Sequence, residues 1–514
     1  MWIGSFKNRN TKICNHLKIN WNFNGTFDFL GVHFDTNLEE MVKQNYDKSF
    51  QAMKKMISNW KKRNLTVLGR VVVIKSLVLP KLSYMAQMLP NPDKEYIKQV
   101  NDMFFKYVWN DKPDRIKRNQ FVQNYENGGV KMPDVESHIN ALKINWIRRF
   151  IREDKKWIKL SEFCVNVSSN DICCMGLSRF NILKDKINNK FWYDTLYIWS
   201  SLINVINHDD LDFNRIAKQY LWWNDKIKIG NKSVGYRHWI KKGVMFVNDL
   251  LNNNGTFMTE VEFEETYNVQ TNILEYNGIL RAIKSNFNID AVKGTKLPSP
   301  FRPSNLEFLF KSEKGCKSFY NVFLLLKNRK LTRNKWKEEF QIGEEDWKGF
   351  CHLNFKFSID TKYRWFQYRI NQHIIATNRL LVKLNIKNSD LCSLCKTVPE
   401  TIYHIFVECH ISNSFWNNMK IWVRDKINVD LNMTTLTILF GSKYDYVLTL
   451  LMSLAKFHIY RAKMTEKRPN FEAFKQEIKY YYNILKYQAS CNLEVDKFMK
   501  KWLLWLPLVQ DTIR

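Results

Sequence analysis

Cys392, Cys395, His404 and Cys409 fall in the stretch CSLCKTVPETIYHIFVEC, separated by two, eight and four residues. Two close pairs of soft ligands suit a tetrahedral structural zinc, which closes a small loop that could not fold alone. His410 is an alternative to His404 as the nitrogen ligand, with a longer reach. The other cysteines, Cys14, Cys164, Cys173, Cys174, Cys316, Cys351 and Cys491, form no second set. Cys351-His352 is adjacent rather than spaced and reads as core packing. Cys173-Cys174 is not a redox pair, because adjacent residues bridge only with strain.

A search for catalytic chemistry finds no constellation. Polymerases and nucleases hold divalent metals with clustered carboxylates. The adjacent aspartates Asp209-Asp210 follow Asn207 and His208 rather than a hairpin arm with an aromatic residue, so they read as a loop or helix cap. Walker, Gly-x-Ser-x-Gly and His-Glu-x-x-His patterns are missing. Basic residues do interleave with aromatics, in KYRWFQYRI (Lys362 to Ile370) and between Lys311 and Lys337, where nine Lys/Arg accompany one acid. Phosphate contacts plus ring stacking hold single-stranded nucleic acid in this way. A single aromatic such as Trp365 or Phe366 reads first as core.

The elements that must position these groups are mostly helical. The 514 residues carry 80 Lys+Arg against 50 Asp+Glu, a net charge of +30, with 45% hydrophobic and 15% aromatic residues. That is a folded chain of roughly three domains' length, and its charge calls for a polyanionic partner. A membrane is the weaker partner: the longest apolar run, Val447 to Ala455, stops at Lys456, far short of the ~20 residues of a span. The start lacks the apolar core of a signal peptide, so the chain is expected to be cytoplasmic or nuclear rather than secreted, with cysteines as thiols or metal ligands.

Alternation up to about Phe34 predicts short strands with a turn at Asn24-Gly25. Tyr46, Phe50, Met53, Ile57 and Trp60 then recur at helical spacing, and seven Lys/Arg lie between Met41 and Arg63. A second helix is expected from Thr66 to an end near Pro80. A third, from Val135 to Ile151, would turn Ile139, Leu142, Trp146, Ile147 and Phe150 inward and Lys143, Arg148, Arg149 and Arg152 outward. From Gly243 to Leu280 there are six acids and no Lys or Arg, so this segment should face away from a polyanion. Ser285 to Ser304 reads as a linker.

Several of these strings resemble the C-terminal part of a LINE-type (non-LTR) retrotransposon reverse transcriptase. They are FDFLGVHF (Phe27 to Phe34), KKRNLTVLGRVVVIKSLVLPKLSY ending at Tyr84, FKYVWNDKPDRIKR (Phe105 to Arg118) and GGVKMPD with Ala141 and Trp146 downstream. Trp239, Gly243, Asp249 and Leu250 resemble a family Trp, Gly, Asp-Leu segment. YRWFQYRI, NRLLVKL and the Cys/Cys/His/Cys knuckle resemble the family's zinc-binding region.

The resemblance implies a palm-exit β segment at residues 1–36 and a thumb-like helical domain at 37–155. A connector with the acidic segment and linker would follow at 156–300, a basic helical region at 301–390, the knuckle at 391–411 and a C-terminal helical region at 412–514. Fingers and an aromatic-x-Asp-Asp palm precede the Phe-Leu-Gly element in the family, so this chain is expected to bind without polymerising. Magnesium would belong only to an intact family member. The implied partners are RNA and a DNA template-primer, with a separately encoded polymerase as a further candidate. The candidate phosphate contacts are Lys54, Lys61, Lys62, Arg63, Arg70 and Lys75 in the thumb-like part, with Arg364 and Arg369 near the knuckle. The alternative is a domesticated or decayed element-derived protein serving as a protein-interaction scaffold.

Overall fold

A computed structural model describes residues 26–152, 165, 172, 175–206, 212–287, 294–299, 304–311, 315–327 and 334–510. Asn24-Gly25, Asp209-Asp210, Cys14, Cys164, Cys173 and Cys174 lie outside the described residues, as do parts of the Lys311 to Lys337 block and of the Ser285 to Ser304 stretch. The chain is mostly helical, and strand among the described residues is confined to two short antiparallel hairpins. It divides into two compact units.

The first unit comprises Met1–Met56, Val78–Asp102 and Asp134–Arg329. Its hairpin pairs Phe27–Phe29 with Val32–Phe34, and the rings of Phe27 and Phe34 stack at 4.9 Å. The turn is Leu30-Gly31, both residues at positive φ (49° and 78°), as a two-residue type I′ connection requires. On the next helix, Leu38–Lys61, the periodic residues Tyr46, Met53 and Ile57 are buried as the spacing predicts.

Two expectations from the sequence fail here, each for a local reason. Thr66 does cap the helix Val67–Val73, its hydroxyl accepting the Gly69 N–H at 3.2 Å. Helical backbone nevertheless runs past Pro80. Ile74–Val78 forms a π-turn, and Pro80 then sits in the first turn of the segment Leu79–Met88, where a missing N–H breaks no bond. The second failure is the outward face of the helix Val135–Arg152. Ile139, Leu142, Ile147 and Phe150 are buried as expected, but so are Lys143 and Arg148. The helix packs against Leu79–Met88, Lys190–Ile206 and Lys317–Lys327, so little of its circumference is left for solvent. Lys143 donates to the Leu89 carbonyl and lies 4.0 Å from the Phe191 ring centre. Arg148 bonds the Asn145 side chain and lies over Phe319.

A second core of the same unit spans Phe213 to Phe287 and explains the Trp, Gly, Asp-Leu segment. Trp239 and Leu250 are fully buried in it. The Asp249 carboxylate accepts the N–H groups of Met245 and Phe246 at 2.7 and 2.8 Å, closing the turn that returns the chain to the core. Leu297 is pinned to the same core by a two-way exchange with the Asn248 amide.

The second unit comprises Ile57–Leu77, Met103–Pro133 and Lys330–Arg514. Its centre is the helix Tyr446–Met464, buried on nearly every face by Thr361–Asn371, Thr435–Phe440, Phe471–Cys491 and Val495–Trp502. The apolar run Val447 to Ala455 is therefore core, and no described helix is long and apolar enough to cross a membrane. Lys456 does not end the buried stretch. Its ammonium donates to Gln367 Oε1 at 2.6 Å and to the Leu439 carbonyl at 2.5 Å, and burial pushes its pKa well below the ordinary lysine value. The GGVKMPD string is a backbone seat. A side chain on Gly129 would come within 2.1 Å of the Gln123 carbonyl oxygen, and the Gly128 carbonyl accepts Tyr368 Oη at 3.1 Å and Gln372 Nε2 at 3.0 Å.

Burial pushes the Lys143 pKa down to about 7, partly opposed by the nearby Asp194. Between about pH 7 and the ordinary lysine value the unfolded chain binds the extra proton, so this group makes stability rise with pH across that window. Lys143→Met should flatten that rise and lift the melting midpoint most at the acid end. Thermal melts of both proteins from neutral to alkaline pH check this; parallel profiles would show that Lys143 is not the titrating group.

Candidate metal centre

The knuckle is built from two turns that face each other. An antiparallel bridge between Leu391 and Pro399 closes the first. Inside it the Cys392 N–H donates to the Val398 carbonyl at 2.8 Å and the Lys396 N–H to the Cys392 carbonyl at 2.9 Å. Lys396 takes a left-handed conformation, φ 60°, so the chain reverses directly after Cys395. The second turn runs from His404 to Cys409. Residues five apart on an ordinary α-helix lie about 140° apart around the axis. His404–Glu408 is instead a π-turn, closed by the Cys409 N–H on the His404 carbonyl at 2.7 Å. The wider turn brings both side chains to one side.

The four ligand atoms consequently lie within 4.8 Å of one another, and Cys392, His404 and Cys409 are buried. Cys395 Sγ and His404 Nε2 are 3.3 Å apart. A tetrahedral zinc, with about 2.3 Å to sulfur and 2.0 Å to nitrogen, spaces its ligands by roughly 3.5 to 3.8 Å, so the arrangement fits with small adjustments. His410 is exposed and stands outside the cluster, whereas His404 lies within it.

Local donors favour thiolate. The neighbouring Cys392 thiol, with the amides of Ser412 and Ile411, lowers the Cys409 pKa against the opposing effect of burial. Cys409 is also the N-cap of the helix His410–Ile427, whose free N–H groups stabilise negative charge. Its contact with Cys409 and its burial push Cys392 the other way, although the amides of Cys395 and Leu394 oppose the shift. His404 turns Nδ1 toward Glu408, 3.8 Å away, leaving Nε2 for the centre.

The outer support was not singled out from the sequence. Glu400 is fully buried. One carboxylate oxygen accepts the Asn378 N–H at 2.7 Å and faces Lys463 Nζ at 3.1 Å, while the other accepts the N–H of Ser393 at 2.9 Å. Ser393 lies between the first two cysteines, so Glu400 fixes that turn from behind. A lone glutamate between ligands carries no sequence signal, because its partner Lys463 comes from a distant helix.

The predicted phosphate contacts are scattered. Lys54, Lys61, Lys62 and Arg63 are exposed, with Lys61 paired to Asp111 and Arg63 over the Trp60 ring at 5.1 Å. Arg70 donates to the carbonyls of Val108 at 3.1 Å and Tyr107 at 3.4 Å. Lys75 is half-buried, and burial together with the like charge of Lys131 lowers its pKa to about 8. Arg364 donates to the Ser358 carbonyl. Arg369 is half-buried, with its Nε unpartnered.

A cluster of three cysteines and one histidine, held by turns and supported from behind, has the donor set of a zinc-binding site. Residues 316–416 match the family described as zinc-binding in reverse transcriptase. This segment contains the whole cluster, and the two findings mark it as a reverse-transcriptase-associated zinc region.

Freshly purified protein should carry about one zinc per chain. Cys392→Ser should abolish it and speed hydrogen exchange between residues 392 and 409. Native exchange in the metal-free variant would count against a structural metal. Glu400→Gln leaves the ligands intact but removes the charge opposite Lys463. It should weaken zinc affinity on the order of 10- to 100-fold in competition with a chromogenic chelator, whereas unchanged affinity would assign Glu400 to the fold alone.

Proposed function

We propose that this chain is a nucleic-acid-binding C-terminal portion of a LINE-type reverse transcriptase, combining a thumb-like helical part with the zinc region. The observation that carries the proposal is the buried Cys392, Cys395, His404 and Cys409 cluster inside a segment that matches the reverse-transcriptase zinc family. The ordered strings from Phe27 to Trp146 supply the LINE-type assignment, and the charge of +30 supplies the attraction for polyanions. In this reading the chain grips structured RNA and a template-primer, while synthesis needs a palm with paired aspartates, supplied within a longer product or by a separate polymerase. The scaffold alternative finds no support in the family match.

Exposed Lys54, Lys62 and Arg63 are the first candidates for phosphate contact, since among the described residues no side chain other than the Trp60 ring engages them. Lys61 would exchange its Asp111 partner for a phosphate.

Filter binding of structured RNA across a salt series tests the proposal. Each neutralised phosphate should add about 0.7 to 0.9 to the steepness of the log-log plot, and a flat plot would sink the reading. Primer extension with magnesium by the chain alone should yield no product; extension would overturn the division between holding and synthesis.

A further inference from the structure

Within the second unit the helix Phe471–Cys491 turns at Asn492 into the helix Val495–Trp502, and a cavity of about 240 Å³ opens beside the turn. Buried Leu485 and Ala489 line it together with the half-buried rings of Tyr446 and Phe498. Two lysines one turn apart stand on its other side. Lys497 pairs with Glu494 at 3.3 Å, both exposed. Lys501 Nζ lies 4.9 Å from the centre of the Tyr446 ring, and no carboxylate among the described residues pairs with it. The side-chain amides of Gln488 and Asn492, also one turn apart, line the cavity without a hydrogen bond to any described residue.

The volume falls below the roughly 300 to 1,000 Å³ of sites for drug-sized ligands, which suits a flat fragment. Apolar walls and rings cover the faces of such a fragment, and two amides offer donors and acceptors together to its edge. Asn and Gln read nucleobase edges in this way, and ammonium groups beside the ring hold a phosphate as point charges. The adjoining face of the same helix carries the arrangement further. Tyr480, Ile484 and Tyr487 recur there at helical spacing, all exposed, and neither tyrosine ring has an aromatic partner among the described residues. Ile484 lies one turn before Gln488, so this stripe borders the cavity. Between Glu477 and Glu494 the sequence has no acid but carries Lys479 and Lys486. Exposed rings beside lysines are platforms on which successive bases stack.

We infer that the cavity takes one unstacked base of a single-stranded RNA whose neighbouring bases lie on Tyr480 and Tyr487, with a phosphate on Lys497 and Lys501. The assignment rests on the nucleic-acid-binding reading and sharpens it to a single-strand subsite. Lys497 exchanges Glu494 for the phosphate, which leaves the Glu494 carboxylate to accept from a base amino group.

The test is filter binding of a short single-stranded RNA by the full chain, beside an abasic ribose-phosphate strand of the same length, each in a salt series. The RNA should bind more tightly than the abasic strand by roughly 5- to 150-fold per base held. Gln488→Ala combined with Asn492→Ala should narrow that gap by roughly 2- to 10-fold per amide and leave the steepness of the log-log plot unchanged. Lys501→Gln should reduce the steepness for both strands by about 0.7, the loss of one phosphate contact. Tyr487→Ala should weaken the RNA alone. A native gap in the double variant together with native steepness in Lys501→Gln, at native helicity, would overturn the pocket while leaving the wider reading intact. No RNA binding by the unaltered chain would remove both. Adenosine monophosphate bound by the unaltered chain, with native RNA affinity in Tyr487→Ala, would mark a free-nucleotide site and overturn the strand assignment.

Discussion

The Glu400 carboxylate, buried against Lys463, is the contact on which the metal region depends. Residues 378 to 400 offer little apolar surface: Leu384, Ile386, Leu391 and Val398 are all exposed. Leu394 does reach the core, and polar contacts define much of the rest of the loop's path. Glu400 engages the amides of Asn378 and Ser393 and the ammonium of Lys463. Lys463 also donates to the Ala376 carbonyl at 2.6 Å, and the Asn378 side-chain amide donates to the Leu391 carbonyl and Ser393 Oγ. A buried ion pair adds little net stability over an apolar replacement. What this one adds is position, because each oxygen is committed to a different strand of the loop and only one arrangement satisfies all of them.

The same logic separates the basic residues into two populations that the net charge merges. Lys143, Arg148, Lys456 and Lys463 are buried and satisfied inside the protein. Arg70 and Arg364 spend hydrogen bonds on carbonyls of their own unit. These groups contribute to the long-range field, but a phosphate would have to displace existing partners to reach them. Lys54, Lys62, Arg63 and Arg115 are exposed to solvent. The formal charge therefore overstates the number of cations open to an outside partner.

The knuckle was legible in the sequence because metal chemistry restricts ligand type and spacing so tightly that four residues suffice. The helices were legible where one face is apolar and the other solvated, as along Leu38–Lys61. Legibility failed where a second or third neighbour covered the polar face. Lys143 looks like an outer residue until the helices on either side of Val135–Arg152 are in place, and Lys456 looks like the end of an apolar run until Gln367 and Leu439 supply its partners. The π-turn before Pro80 leaves no compositional trace, since any residue can adopt it. The turn between His404 and Cys409 is hidden in the same way, although the ligand chemistry required those two side chains to meet. Glu400 was missed for the opposite reason: its role is set by a residue more than sixty positions away.

The helix Thr361–Asn371 shows how the metal region and the basic surface are built from one element. Tyr363, Phe366 and Ile370 face the apolar core. Gln367 accepts from Lys456 and donates to the Leu439 carbonyl at 2.8 Å, and Tyr368 reaches back to Gly128. Tyr460, which flanks Arg369, lies on the same helix as Lys463, one turn earlier, and its hydroxyl shares the Ala376 carbonyl with that lysine. The guanidinium of Arg369 is thus oriented by the packing that also supports the zinc turn through Glu400. One helix thus carries side chains of the apolar core and a cation packed on two rings, and a single set of contacts orients both.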